Sequence, residues 1–261
     1  MRWNRLRKKF RYWFKSQVVA LSPGLYWRLH EWKHGLKEAE LAVLPFLGDA
    51  GKTAVDAGAN FGVYTWHLAR LYRCCYAFEP HPHLAAVLRR GFRGREAQII
   101  IHEIALSDRE DCTVLRIPLT ALGWSTIEPH NQLHSIVHSV ADIREMEVAC
   151  KPLDYYGLED VGFLKIDVEG HELAVLRGAT ETISRSYPSI LVEAEDRHRP
   201  GTVTEVCEYL SLFGYRRMIL RHGQLVELQD SAIVTPCNFF FFQPDVAKAV
   251  QTKMQASVGN A

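Results

Sequence analysis

What most constrains this chain is a regular alternation of short apolar runs and helical patterns that sets in near residue 53. Thr53 to Asp56 reads as a short buried strand, Tyr64 to Tyr72 as a helix, Cys75 to Phe78 as a strand, Pro82 to Phe92 as a helix and Gln98 to Ile104 as a strand. Parallel strands need long crossovers, so this rhythm implies βαβ units and an α/β fold: a mostly parallel sheet with helices on both faces. The rhythm resumes with strand Phe163 to Val168, a helix from about Glu172 to Ser184, strand Ile190 to Glu193, helix Val203 to Phe213, strand Arg217 to Leu220 and a last strand Asn238 to Gln243. Between Asp111 and Pro152 it fails: CTVLRIPL and EMEVACKPL look like strands, and the polar, His-rich stretch between them reads as an insertion over the site. Ahead of the alternation, Ser22-Pro23-Gly24 breaks the chain and Glu38 to Leu47 reads as a helix.

Charge is distributed unevenly. Residues 1 to 16 carry seven basic side chains and no acid, which leaves 24 basic against 30 acidic side chains in the body. A body of that sign is a poor nucleic-acid binder, since such binding wants a basic working face, and no nucleic-acid partner is expected. Trp3, Leu6, Phe10, Trp13 and Phe14 recur at helical spacing among the basic residues, the pattern of a basic amphipathic helix. Docking of that stripe on the body or on a second copy in a homo-oligomer is favoured over peripheral contact with an anionic membrane. Residues 1–35 are read as an N-terminal helical extension, 36–245 as the working domain and 246–261 as a C-terminal tail. No apolar run reaches the length of a membrane span, and the six cysteines show no CxxC pair. They read as buried thiols of a reducing compartment, consistent with a cytoplasmic protein.

Ligands of open α/β sheets bind outside the carboxyl ends of the strands. The first strand runs into VDAGANFGVYT, placing Asp56, Gly58, Asn60 and Gly62 in a tight turn before a helix. Glycine lets a backbone approach a ligand, and asparagine tolerates a left-handed conformation. The second strand ends in AFEP, so Glu79 stands where nucleotide folds use an acid to accept from ribose hydroxyls. ALSD follows the third strand, and Asp108 has the chemistry to accept from an adenine amino group.

VDAGANFGVYT, AFEPHP, ALSD, FLKIDVEGHELAVLRGA and ILVEAEDRH follow the order and spacing of the FkbM family of methyltransferases, which residues 36 to 243 resemble. The resemblance implies a Rossmann-like seven-strand sheet that binds S-adenosyl-L-methionine. Asp56, Gly58, Asn60 and Gly62 would surround the methionine end, Glu79 the ribose, and Ser107 and Asp108 the adenine, with Thr65 a further cofactor-binding residue. It also implies O-methyl transfer to a small-molecule or glycan acceptor. Residues 1 to 16 are not expected to be needed for cofactor affinity.

An alcohol needs a base or a metal to become a nucleophile, and the fourth and fifth strand ends offer Asp167, Glu169, Glu193, Glu195 and His198. Asp167 is the first choice for the reacting centre, with Glu193 and His198 next. Glu169 reads equally well as a carboxylate favouring a helix N-terminus, and Lys165 and Glu172 read as structural partners. A Mg²⁺ or Mn²⁺ site built on Asp167, Glu193, Glu195 and His198 is the less favoured alternative. His130, His134 and His138 read as loop histidines rather than ligands. An NAD-dependent dehydrogenase would want GxGxxG, which GANFG does not supply. A catalytically silent scaffold on the same fold is a further alternative, against which the intact acids argue.

Overall fold

The computed structural model describes residues 14–22, 24, 26–28, 38–119, 121–133, 142–228 and 238–258. Its centre is an eight-stranded sheet built from β1 (Thr53–Ala57), β2 (Cys74–Phe78), β3 (Ile99–His102), β7 (Val161–Ile166), β8 (Ser189–Glu193), β9 (Arg216–Arg221), β10 (Gln224–Glu227) and β11 (Asn238–Phe242). Their order is β10-β9-β11-β8-β7-β1-β2-β3. The five strands from β3 to β8 pair in parallel, and β11 runs antiparallel between β8 and β9. After β1 the chain moves outward to β2 and β3, and after β7 it moves the opposite way to β8. The order therefore reverses between β1 and β7, which opens a crevice at their carboxyl ends.

Seven of these strands were expected; the eighth, β10, pairs antiparallel with β9. Its two-residue turn, His222-Gly223, has both φ angles positive (49° and 75°), the geometry that suits the twist of a tight hairpin. The strand QLVE is mostly exposed and polar, so periodicity did not reveal it.

Alternation along each strand divides the core into two layers. Ala54, Phe163, Phe240 and Phe242 pack on one face with α1 (Val63–Leu71), α2 (Pro82–Gly91) and α6 (Pro244–Val258). Val55, Leu164, Phe239 and Phe241 pack on the other with α3 (Glu172–Arg177), α4 (Thr180–Ser186) and α5 (Thr202–Ser211). The first layer also takes in Val19 and Trp27 of the N-terminal segment, whereas Phe14, the one described residue of the expected aromatic stripe, is exposed. Trp3, Leu6, Phe10 and Trp13 lie outside the described residues, as do His134, His138 and Cys237. Among the described residues no helix is long and apolar enough to cross a membrane. Cys75 and Cys150 are buried free thiols, whereas Cys112 is exposed.

The inserted region forms a second sheet in the order β4-β6-β5, from β4 (Ala105–Leu106), β5 (Asp111–Pro118) and β6 (Ile143–Lys151). Leu115, Ile117, Ile127 and Cys150 give it a small core of its own.

Three elements depart from expectation. The helix expected over Glu38 to Leu47 is two 3-10 turns, Ala39–Ala42 and Leu44–Phe46, because Pro45 supplies no donor and disfavours helix before it. Residues 244–258, of which 246 onward were read as a C-terminal tail, form α6, which buries Ala247, Val250 and Met254 at three- and four-residue spacing. The helix expected from Glu172 to Ser184 is broken into α3 and α4 at Gly178. A Cβ there would stand 1.9 Å from the Ser107 carbonyl oxygen, so the break seats the helix pair against the loop after β4. Gly178→Ala should therefore destabilise the fold by about 1–3 kcal/mol through overpacking, read as a lower denaturant midpoint with an unchanged slope.

Candidate active site

The turn after β1 adopts the conformation its residues suggest: φ is 77° at Gly58, 51° at Asn60 and 78° at Gly62. Space as well as conformation selects Gly58, since a Cβ there would lie 1.9 Å from the Asp167 carbonyl oxygen. Glu79, at the end of β2, accepts from the Asn60 N–H at 2.7 Å and the His81 N–H at 2.8 Å, so one carboxylate ties the turn to the start of α2. Burial pushes the Glu79 carboxyl up to about 7, even though both backbone donors pull the other way.

Behind the turn, the Thr65 hydroxyl donates to Asp56 Oδ2 at 2.6 Å, with both side chains fully buried. Lys165 Nζ lies 3.1 Å from the Gly58 carbonyl oxygen, 3.1 Å from Asp167 Oδ2 and 3.5 Å from Asp56 Oδ1. Burial would lower the Lys165 ammonium, but Asp167 and Asp56 outweigh it and hold the group above its ordinary range.

Gly58, Asn60, Glu79, Asp167 and Glu169 line a single cleft of about 560 Å³ of empty volume, part of it open to solvent. Its apolar wall comes from Phe78, Leu84, Ile104, Leu106 and, from the inserted region, Leu115 and Ile127. Asn60 Oδ1 is buried with no hydrogen-bond partner among the described residues. Asp56, Gly62, Thr65, Ser107, Asp108, Glu193 and His198 are not among the lining residues. Ser107 Oγ is 2.9 Å from His171 Nε2, and Asp108 pairs with Arg109.

Beyond Asp167 the backbone turns sharply, with Glu169 at φ 54° and Gly170 at φ 107°. The Thr126 hydroxyl and the Asn131 amide each donate to the Glu169 carbonyl at 2.8 Å. These anchors come from the inserted region and were not singled out from sequence, where Thr and Asn in a loop are unremarkable. Arg116 braces them by donating to the Asn131 and Glu128 carbonyls. Glu128 lies between His130 Nδ1 at 2.7 Å and His171 Nδ1 at 3.3 Å. Burial alone would raise its carboxyl, but these hydrogen bonds prevail and hold it down at about 2. His130 thus bonds within the insertion.

His198 is buried with Nε2 at 3.2 Å from Glu169 Oε2, a contact lacking hydrogen-bond alignment, and neither ring nitrogen has a hydrogen-bond partner among the described residues. Burial followed by the charges of Asp167 and Glu193 pushes Glu169 well above the carboxylate range, and burial followed by Asp167 does the same to Glu193. Glu172, fully buried, is raised to about 7 by burial while accepting from the Gly170 N–H. Among the described residues no three His, Cys, Asp or Glu side chains are arranged to hold a metal ion.

This concentration of raised carboxyls sets a sign for stability against pH. Each binds its proton more tightly folded than unfolded, so stability is lost as pH rises through the folded values. Above pH about 6.5, an ordinary histidine value, His81, His102 and His198, all lowered by burial, no longer oppose this trend. The melting temperature of the ligand-free protein should fall as pH rises through 7 and beyond, and Glu169→Gln should flatten the fall. An equally steep fall in the variant would show that Glu169 is not among the groups responsible.

The chain is similar to known proteins over much of its length. Residues 56–217 match the methyltransferase FkbM domain. Methyltransferase 1 of Beauveria bassiana (strain ARSEF 2860) is 30% identical over 171 residues, covering 59% of this chain and 68% of that protein. Methyltransferase sdnD of Sordaria araneosa is 32% identical over 169 residues, 53% of this chain and 64% of that one. The chain thus spans about two thirds of the length of either relative. A crystal structure of methyltransferase FkbM from Methylobacillus flagellatus KT aligns with a TM-score of 0.48 at 19% identity, over 89% of this chain and 59% of that one. With 162 of its 261 residues inside the matched domain, the chain belongs to the FkbM methyltransferase family.

Proposed function

We propose that this protein transfers the methyl group of S-adenosyl-L-methionine to a hydroxyl of a sugar, glycan or secondary metabolite. The observation that carries the reading is one cleft, at the reversal of strand order, walled by the left-handed Gly58–Asn60 turn, by Glu79 and by Asp167. The residues present suit the cofactor. Glu79 can accept from ribose hydroxyls with the lone pairs its two backbone donors leave free. The unpartnered Asn60 Oδ1 is an acceptor for a bound donor. Ile104, Ala105 and Leu106 offer the adenine an apolar bed, so Ser107 and Asp108 would act from behind it through the loop they shape.

The cofactor supplies a sulfonium, whose electrophilic methyl group carries its own leaving group. This chain's part is to align the acceptor oxygen and take its proton, and alignment alone is worth on the order of 7–11 kcal/mol at best. Asp167 and Glu169 line the cleft where that proton would go, with Glu193 and His198 next to them. A nearby positive charge favours the ionised form of a carboxyl, so the raised Glu169 and Glu193 become able to accept a proton when a cation lies beside them. Positive charge in the cleft and a base for the acceptor are then parts of one device. The acidic body favours a small acceptor over nucleic acid.

Two measurements test this. Glu79→Ala should weaken S-adenosyl-L-methionine binding by about 1.5–3 kcal/mol in calorimetry, the scale of hydrogen bonds to a charged group; unchanged affinity contradicts the ribose role. Incubation with methyl-labelled cofactor and fractionated host metabolites should label a hydroxyl compound, and Asp167→Asn should reduce that labelling by two or more orders of magnitude, roughly the contribution of a positioned acid or base. A protein that binds the cofactor, labels nothing and is indifferent to Asp167→Asn would instead be a silent scaffold.

A further inference from the structure

Between the start of α2 and the small sheet of the inserted region lies a second cavity, of about 710 Å³ of empty volume, part of it open to solvent, a size that suits a small molecule. Ile117, Leu119, Leu122 and Met146 make its wall apolar. The polar groups set into that wall all favour negative charge. His81, His83 and Arg144 line the cavity and no acid does, and α2 directs the positive end of its dipole there at Pro82. Arg144 is exposed and has no ion-pair or hydrogen-bond partner among the described residues.

His81 adds a donor at a fixed place. Its side chain is only 9% exposed, and Nδ1 accepts from the His83 N–H at 3.2 Å. The proton of the neutral ring therefore sits on Nε2, a nitrogen with no hydrogen-bond partner among the described residues. Burial, followed by the nearby His83, pushes the ring down to about 4, so it stays neutral at ordinary pH and presents an N–H rather than a charge. The positive charge comes from Arg144, which also opposes protonation of His81.

The cavity is continuous with the cofactor cleft. Leu122 walls both. On the small sheet Leu115 pairs with Met146 and Ile117 with Arg144, so these four share one face, since residues opposite each other in a ladder do. Leu115 lines the cleft, and the other three line the second cavity. One sheet face thus runs from the cleft into the second cavity and ends on a cation without a counter-charge.

We infer that this second cavity holds the non-reacting end of the methyl acceptor, and that this end is an apolar chain or ring system bearing a carboxylate, paired with Arg144 and hydrogen-bonded to His81 Nε2. The role as acceptor rests on the methyl-transfer reading above and narrows it to hydroxylated apolar acids. A guanidinium beside a buried N–H donor suits the two oxygens of a carboxylate, and the four apolar side chains give a neutral sugar little to hydrogen-bond. Arg144 and His81 are specificity residues that no sequence motif marks.

The test uses the full chain in calorimetry with decanoate, with decanol as the same chain lacking the charge, and with S-adenosyl-L-homocysteine. Decanoate should bind about 10- to 100-fold more tightly than decanol, the range for one charge-assisted hydrogen bond. Arg144→Met should remove that advantage while leaving the affinities for decanol and S-adenosyl-L-homocysteine unchanged, and Arg144→Lys should restore part of it. In the labelling experiment above, the methylated product should be an acid retained on an anion exchanger. Decanol bound as tightly as decanoate, a decanoate affinity indifferent to Arg144→Met, or a neutral labelled product overturns the assignment. An unaltered protein that does not bind S-adenosyl-L-homocysteine sinks the methyl-transfer reading, and the acceptor role falls with it, a result distinct from a protein that binds the nucleoside but does not discriminate the acid.

Discussion

One buried cation holds the working end of this fold together. Lys165 and Asp56 are register partners on β7 and β1, the two strands between which the sheet reverses order. From β7 the ammonium reaches Asp56, Asp167 and the Gly58 carbonyl, joining the two strands to the glycine turn. Breaking a buried pair of this kind costs about 3–5 kcal/mol because it strands the remaining charge, so the arrangement is tightly enforced even though ion pairs in general add little net stability. It also leaves one lysine against two carboxylates. Glu169 and Glu193, whose carboxyls burial holds well above the usual range, add to that negative charge only when a cation beside them favours their ionised forms.

The inserted region closes the other side. Its small sheet brings Leu115 and Ile127 over the cleft, and Thr126 and Asn131 grip the Glu169 carbonyl from above. A non-glycine residue with positive φ is held at some cost, and here two side-chain donors and the Arg116 brace oppose its relaxation. The carboxyl of Glu169 is thereby fixed at the mouth of the strand ends beside a buried histidine whose nitrogens are unpartnered among the described residues. A loop that could have been a plain excursion serves as the lid and the support of the acidic cluster.

The parallel half of the sheet was legible because its strands are short apolar runs separated by helices with clear starts, and burial on both faces leaves little ambiguity. Asn60 and Gly58 were readable for a related reason: few residues accept their backbone conformations, so their presence marks the turn. What escaped had no such local signature. The hairpin strand β10 is polar because it lies at an edge, and α6 shows only a weak apolar stripe. The break at Gly178 follows from a contact with Ser107 distant in sequence. Thr126, Asn131 and Glu128 become part of the site only when the insertion folds over β7. Asp56 and Thr65, noticed from sequence as neighbours of a ligand, occupy the layer beneath the turn.

The account turns on whether the crevice between β1 and β7 is the seat of a sulfur nucleoside. A crystal structure of the protein soaked with S-adenosyl-L-homocysteine measures this directly. The account predicts density in the cleft with the ribose hydroxyls hydrogen-bonded to Glu79 and the sulfur beside Gly58 and Asp167. Density at another surface, or a ribose turned away from Glu79, would contradict it.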